Sequence, residues 1–102
     1  MDITVREEMK NFKNKTPLMD RQGVYYLESQ ARQLAQLMDK YKKEHTPIIV
    51  HKLKPQLDDL IDDEIEKAIK AQNKNLKSKR EYFTTASNKL TDIEREFLAL
   101  FD

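Results

Sequence analysis

The sequence predicts an all-α protein, an antiparallel bundle of three or four helices, and three observations lead to this fold class. Its 102 residues contain one glycine and three prolines, whereas a β-sheet protein needs many tight turns made from such residues. Apolar residues recur at spacings of three and four, as in a helix that packs lengthwise on another helix. The length fits a single helical domain over residues 1–102. An alternative is a hairpin of two long helices whose core is completed by dimerisation.

Composition excludes several classes of protein and favours a folded chain, with 38% apolar residues and a net charge of only +1. The absence of cysteine removes disulfides, thiolate metal sites and cysteine nucleophiles. His45 and His51 have no third histidine or cysteine to complete a zinc site, so we expect neither a metal nor another cofactor. No run of about 18 apolar residues is present, so we expect no membrane span. The charged N-terminus lacks the apolar centre of a signal peptide, and the expected location is therefore cytoplasmic.

The first predicted helix begins near Asp2, which can accept a backbone N–H as the N-cap, and ends near Lys13. Val5, Met9 and Phe12 share one face of it. A loop over residues 14–17 is expected to follow.

The second predicted helix has Asp20 as its N-cap and ends before Pro47, because the residue preceding proline disfavours the helical conformation. Its apolar residues follow spacings of three and four without interruption, which is the pattern of a coiled-coil-like seam. They are Val24, Leu27, Ala31, Leu34, Met38 and Tyr41.

The third segment starts with Thr46 as N-cap and Pro47 at the first helical position. Pro55 leaves two interpretations open, since proline inside a helix removes a hydrogen bond and costs about 3 kcal/mol. Either a kinked helix runs from residue 47 to the mid-70s, or a short turn over residues 47–53 precedes a new helix near Pro55. We favour the second. The apolar face continues through Ile49, Leu53, Leu57, Leu60, Ile61, Ile65, Ala68, Ile69 and Leu76.

The fourth segment repeats the seam after a loop predicted near residues 73–75. Thr91 and Glu94 form a capping-box pattern that could restart the helix, but the apolar stripe crosses it without a change of phase. We therefore predict one continuous helix. Its stripe comprises Phe83, Ala86, Leu90, Ile93, Phe97 and Leu100.

Acidic residues cluster in the third segment, and a surface that binds a basic partner protein is one interpretation of them. Another is that the positive end of the helix dipole stabilises carboxylates near a helix N-terminus. A third is that carboxylate pairs four residues apart hold Mg²⁺ or Ca²⁺. Adjacent tyrosines in the second helix add a possible interface, since tyrosine is enriched where proteins bind each other. The predicted partner-binding residues are Tyr25, Tyr26, Asp58, Asp59, Asp62, Asp63 and Glu66.

Basic residues follow the acids directly. With a neighbouring aromatic ring they suit phosphate contact and base stacking, although a solvated helix C-terminus is the simpler interpretation. The net charge of +1 and the nearby acids count against a dedicated DNA-binding domain. The opposed charges also predict antiparallel pairing into a homodimer that weakens with salt. The possible nucleic-acid-binding residues are Lys67, Lys70, Lys74, Lys77, Lys79, Arg80 and Tyr82.

These observations predict a non-enzymatic helical protein-binding module that docks through its charged and tyrosine-bearing faces. A small adaptor, an immunity protein or a phage-type inhibitor fits the size and helicity of the chain, which is an analogy of fold alone. An enzyme is not expected, because no nucleophile motif surrounds any serine and one glycine cannot form a phosphate-binding loop. The alternatives are a nucleic-acid-associated regulator that uses the basic segment 67–82, and a structural subunit that assembles beyond a dimer.

Overall fold

The computed structural model describes residues 3–15 and 23–102, and these ranges form four helices with no strand. The helices are α1 (Ile3–Lys15), α2 (Val24–Tyr41), α3 (residues 46–73) and α4 (Lys79–Ala99). The predicted all-α bundle is thus confirmed. The predicted cap Asp2 and residues 16–17 of the predicted loop lie outside the described residues. Two other predictions are wrong, because Asn14 and Lys15 belong to α1 and not to a loop, and the N-cap of α2 is Gly23 and not Asp20. No helix in the described ranges is both long and apolar enough to cross a membrane.

Helices α2 and α3 run antiparallel, as their side-chain contacts at both ends show. Near the end of α2, Asp39 pairs with Lys54 near the start of α3, with 3.1 Å between Nζ and Oδ1. At the other end, the Tyr25 hydroxyl donates a hydrogen bond of 3.1 Å to Oδ1 of Asn73. The start of each helix therefore lies beside the end of the other.

Helices α3 and α4 are antiparallel as well. Lys89 contacts Glu64 at 2.6 Å, and Lys52 near the start of α3 pairs at 3.3 Å with Glu96 near the end of α4. Helix α4 consequently runs in the same direction as α2, and the two long seams predicted from the sequence lie side by side against α3.

The buried side chains come from the predicted stripes. The seams of α2 and α4 are buried except at Tyr41, Phe83 and Leu100, which are partly exposed. Full burial of one Leu or Phe side chain contributes about 1.5–3 kcal/mol, so these stripes supply the main stabilisation of the bundle. The largest side chains that are fully buried are Phe97, Leu34, Met38, Ile49, Leu53, Leu57, Ile65, Leu90 and Val5.

Helix α1 covers the edge of the bundle through a small apolar contact and several charged ones. Val5 and Met9 are buried, as the sequence predicts. The Glu8 carboxylate accepts hydrogen bonds from Nζ of Lys40 at 2.6 Å and from the hydroxyl of Tyr41 at 2.7 Å. These bonds, with that of Lys40 the stronger, hold the pKa of Glu8 below its usual value.

Two further ion pairs join α1 to the C-terminal part of the chain. Arg6 pairs with Asp102, and Lys13 lies 3.8 Å from a carboxylate oxygen of Glu94. The Glu94 side chain is only 13% exposed, and its burial raises its pKa above the usual range. Burial of Val5 and Met9 therefore holds α1 on the bundle, and the ion pairs add smaller contributions.

Aromatic rings close the end of the bundle where α2 leads into α3. The Phe101 ring meets Phe97, Tyr41 and His45 edge to face, with centroids 5.3, 5.6 and 5.1 Å apart. Edge-to-face rings at such distances attract each other beyond their area of burial. His45 therefore has a packing role, whereas His51 is exposed.

Of the two interpretations of Pro55, the structure shows the helix that continues from residue 47 into the 70s, so the favoured prediction of a new helix near Pro55 is wrong. The segment Ile49–Leu53 immediately before it is a π-helical turn, in which the Lys54 N–H donates to the carbonyl of Ile49, five residues earlier. A proline ring in a regular α-helix collides with the carbonyl four residues before it. The wider π turn shifts this hydrogen-bond pattern, so the helix accommodates the ring without a break.

A second π turn, Leu60–Ile65, keeps the apolar stripe of α3 facing the core. Leu60 and Ile65 are five residues apart and both are buried, a spacing that a regular α-helix would place on different faces. Glu64 is thereby moved to the border of the core. The stripe ends before Leu76, which is 44% exposed, so its predicted place on the apolar face is wrong.

The start of α3 corrects a further cap prediction, and α4 has the predicted continuity. The helix cap before α3 is His45, and the hydroxyl of Thr46 instead donates a 2.7 Å hydrogen bond to the carbonyl of Lys42, so the N-cap prediction at Thr46 is wrong by one residue. Helix α4 is continuous through Thr91, as predicted.

Asn75 ends α3 in the left-handed conformation, with φ of 53°. The Leu76 N–H donates to the carbonyl of Ala71 at 3.0 Å, and the Asn75 N–H donates to that of Gln72 at 3.2 Å. This pair of bonds is a Schellman motif, which asparagine tolerates better than most residues other than glycine. The chain then turns into α4.

Candidate functional site

A groove of about 440 Å³ lies between α3 and α4, and we call it the acidic groove. Five carboxylates line it, together with one lysine, one glutamine and two apolar side chains. The lining residues are Gln56, Asp59, Leu60, Asp63, Glu64, Lys89, Asp92, Ile93 and Glu96.

Helical spacing explains why these carboxylates meet. Asp59 and Asp63 lie four positions apart on α3, and Asp92 and Glu96 lie four positions apart on α4, so each pair shares one flank of its helix. Because each pair lies next to a buried stripe, antiparallel packing of the two helices brings the flanks to opposite sides of the groove. The sides are acidic and the floor between them is apolar.

Lysines neutralise part of this charge. Three of the five carboxylates form ion pairs: Glu64 with Lys89 at 2.6 Å, Asp63 with Lys67 at 3.2 Å and Glu96 with Lys52 at 3.3 Å. Asp59 and Asp92 form no ion pair within the described residues. Exposed pairs of this kind contribute about 0–1 kcal/mol, so a cationic partner can displace these lysines at little cost.

The structure divides the acidic cluster that the sequence predicts. Asp59 and Asp63 line the groove, whereas Asp58 and Asp62 are exposed outside it, and Glu66 pairs with Lys70 at 3.3 Å. Sequence reasoning missed Asp92 and Glu96. In the sequence, these two residues are marked only by their position beside the apolar Ile93. That position does not indicate which helix faces them.

The carboxylates of the groove do not converge on a point. Over residues 3–15 and 23–102, no group of three or more histidine, cysteine, aspartate or glutamate side chains is arranged to hold a metal ion. The groove presents a row of negative charge, which suits an extended cationic surface better than a single cation.

The two tyrosines lie apart from the acidic groove and apart from each other. Tyr25 is 56% exposed beside the end of α3. Tyr26 stacks on Phe12 of α1, with ring centroids 6.2 Å apart and ring planes inclined by 8°. The residues predicted to bind a partner therefore do not form a single surface.

A second cavity of about 340 Å³ lies between the start of α2 and the start of α4, and we call it the basic cleft. Its walls are mainly apolar, and two cations stand at its edge. The lining residues are Gly23, Val24, Tyr25, Ala68, Gln72, Lys79, Arg80 and Phe83. Tyr25 thus joins residues of the predicted nucleic-acid-binding set.

The basic residues predicted to contact nucleic acid are not equally available. Lys67 and Lys70 pair within α3 with Asp63 and Glu66, and the hydrogen bond from Lys67 to Asp63 raises the pKa of Lys67. The others lie in or after the loop from α3 to α4, and within the described residues they form no ion pair. They are Lys74, Lys77, Lys79 and Arg80, and Tyr82 on α4 is 39% exposed beside them.

Comparisons of the chain with models of protein families, with curated proteins and with solved structures find no match. Its function must therefore be inferred from the chemistry of the acidic groove and the basic cleft. The first offers carboxylates over an apolar floor. The second offers aromatic and apolar walls with cations at the edge.

Proposed function

We propose that the protein is a non-enzymatic binding module whose acidic groove accepts a cationic, amphipathic helix of a partner protein. The observation that carries this proposal is the arrangement of carboxylates on both sides of the apolar floor formed by Leu60 and Ile93. A helix that docks in a groove presents apolar residues to the floor and charged residues to the sides. Lysine or arginine on those flanks would complement the carboxylates.

The dimensions of the groove fit a short helical segment. Residues 56–64 of α3 extend for about 12 Å at 1.5 Å per residue, which corresponds to about two helical turns of a partner. Carboxylates four positions apart match cations with the same spacing on the docked helix. Leu60 and Ile93 are 3% and 6% exposed, so they offer little apolar area. Binding is therefore mainly electrostatic, of modest affinity and sensitive to salt.

The lining of the groove supports binding rather than catalysis. It contains carboxylates, an amide and a lysine, but no serine, cysteine or histidine among the described lining residues. A nucleophile and a base within hydrogen-bond reach of each other are the usual signature of covalent catalysis. An adaptor, an immunity protein or a phage-type inhibitor would use such a docking surface. The cytoplasmic location remains a prediction from the sequence.

The test is fluorescence anisotropy with a labelled peptide that forms an amphipathic helix with lysines on both flanks of a leucine face. Asp59→Asn with Asp92→Asn removes the two groove carboxylates that have no ion pair within the described residues. We expect the affinity for the peptide to fall about tenfold, because each of the two carboxylates contributes roughly 0.7 kcal/mol to binding.

The matched control is Asp58→Asn with Asp62→Asn, which changes the net charge equally outside the groove and should alter affinity less than twofold. Equal losses in the two double variants would mean that the peptide responds to net charge and not to the groove.

The predicted homodimer is a second occupant of the same groove, with the basic residues of another copy in place of the peptide. The internal pairing of Lys67 and Lys70 leaves fewer cations for it. Sedimentation equilibrium at low and high salt tests it. A dimer that dissociates with salt, and that Asp59→Asn with Asp92→Asn abolishes, would make a second copy the partner.

A further inference from the structure

We propose that the basic cleft is a second binding site, which takes a single strand of nucleic acid by stacking one base on Tyr25 and holding its phosphates with Lys79 and Arg80. The cleft lies at the end of the bundle where α2 starts, whereas the acidic groove runs along α3 and α4. The two sites share no lining residue, so this inference stands or fails independently of peptide binding.

The aromatic walls of the cleft provide the stacking surface. The Tyr25 ring is 56% exposed, and its hydroxyl is bonded to Asn73, which fixes the ring without help from a ligand. Phe83 contributes the second ring and Ala68 the apolar base of the cleft. A fixed, exposed ring suits base stacking, because every base has an aromatic face and little ordering is needed on binding.

The cations beside these rings provide the phosphate contacts. Lys79 and Arg80 line the cleft, and Lys74 and Lys77 lie in the loop that leads to them. Within the described residues none of the four forms an ion pair, in contrast to Lys67 and Lys70 of α3. Phosphates of a strand that crosses the cleft would therefore meet cations that are not already paired with a carboxylate. Nζ of Lys79 donates a 2.8 Å hydrogen bond to Oδ1 of Asn75, which a phosphate oxygen would replace.

The size and the aromatic walls of the cleft together favour a single strand over other anionic partners. Its volume of about 340 Å³ is near the lower end of ligand pockets, about 300–1,000 Å³, and accommodates one base with its sugar. A duplex keeps its bases stacked inside and cannot place one against Tyr25. An acidic peptide would satisfy the cations but would leave the aromatic walls without a stacking partner.

The probe is a fluorescently labelled oligothymidylate of about ten nucleotides, a length within the usual site size, titrated with the full chain at about 50 and 200 mM salt. We expect saturable binding that weakens with salt. Lys79→Gln with Arg80→Gln removes two cations that bind phosphate. It should lower the slope of log affinity against log salt by about 1.4, since each neutralised phosphate of a single strand contributes about 0.7.

The control is Lys42→Gln with Lys43→Gln, an equal charge change at the exposed turn on the opposite end of the bundle, which should leave the slope unchanged. Tyr25→Ala should weaken binding at least about fivefold, whereas Tyr25→Phe, which keeps the ring and loses only the hydrogen bond to Asn73, should weaken it less. Circular dichroism melting of each variant checks that the bundle remains folded.

Three results of the oligothymidylate titrations would overturn the inference. They are no saturable binding of the oligothymidylate at about 50 mM salt, equal changes of slope in the two charge-removing double variants, and equal affinity of Tyr25→Ala and Tyr25→Phe. A glutamate-rich peptide that binds the cleft more tightly than the oligothymidylate would identify an acidic protein segment as the occupant and would also overturn it.

Discussion

The acidic segment of α3, residues 58–66, is followed directly by the basic residues Lys67 and Lys70, and the two groups make different contacts. In the acidic segment, Asp59 and Asp63 face α4 and combine with Asp92 to form a groove. Lys67 and Lys70 instead pair with carboxylates one turn earlier in the same helix. A run of like charges in a sequence therefore does not by itself determine a charged surface. The surface consists of the charges that remain after local pairing, together with those that neighbouring helices contribute.

The two candidate sites also differ in their relation to the core. The floor of the acidic groove consists of the core residues Leu60 and Ile93, whereas the basic cleft is walled by Tyr25 and Phe83 at the periphery. Changes to the floor should thus affect folding first, and changes to the cleft should affect binding first.

The largest effect is expected from truncation of the groove floor. Leu60→Ala should lower the free energy of unfolding by about 2–5 kcal/mol, because it leaves a cavity in the core. Phe83→Ala, in the wall of the basic cleft, should cost less than half as much, because this ring is already partly exposed. Urea denaturation measures both, and equal losses would show that the cleft is part of the core.

The next effect concerns the loop that carries Lys74 and Lys77 towards the basic cleft. Asn75→Ala should lower the free energy of unfolding by about 1–2 kcal/mol. A residue with a Cβ atom resists the left-handed conformation, and alanine lacks the polar side chain that helps asparagine to adopt it. Asn75→Gly, which suits this conformation, should change it by less than about 0.5 kcal/mol. Chemical denaturation that ranks alanine and glycine equally would contradict the role of the Schellman motif.

Lys89 should affect stability and binding in opposite directions. Lys89→Gln removes the ion pair with Glu64, and since the lysine is 53% exposed we expect a loss of less than about 1 kcal/mol in the free energy of unfolding. The groove becomes more negative, and the affinity for the cationic peptide should rise severalfold. Unchanged or weaker peptide binding, measured by anisotropy, would place the peptide elsewhere.

The smallest effect lies at the contact between α1 and α4. Burial raises the pKa of Glu94 in the folded state, so the folded protein binds this proton more tightly than the unfolded chain does. Stability is then lost as the pH rises through the pKa of the folded state. Glu94→Gln should add less than about 1 kcal/mol to the free energy of unfolding near neutral pH, and the gain should shrink in acid.

Denaturant titrations at about pH 7 and about pH 4 measure the contribution of Glu94. Glu7→Gln, a change at an exposed residue of α1, is the control. A gain from Glu94→Gln that is the same at both pH values would contradict the assignment to this carboxyl group.

Much of the fold is predictable from the spacing of apolar residues. The seams of α2 and α4 follow spacings of three and four without interruption, and both are largely buried as predicted. Propensity left the path through Pro55 undecided and favoured a break, because proline disfavours a helix interior and residue propensities do not indicate the π turn that accommodates the ring. The second π turn did leave a signal, since Leu60 and Ile65 are five residues apart.

The candidate sites were less predictable than the helices. Asp59 and Asp92 are far apart in the sequence and meet only because α3 and α4 pack against each other. Tyr25 joins Arg80 for the same reason, at the junction of α2 and α4. The charged residues are visible in the sequence, but their grouping depends on which helices become neighbours.

The central claim is that the protein carries two separate binding surfaces of opposite charge. Two-dimensional NMR of the labelled full chain tests it directly, with the cationic peptide and the oligothymidylate added separately and then together. We expect the peptide to shift the amide signals of residues 56–64 and 89–96, and the oligothymidylate to shift those of residues 23–25, 72 and 79–83. The two sets of shifts should add when both probes are present. Shifts from both probes in one common set of residues, or uniform shifts over the chain, would contradict the claim.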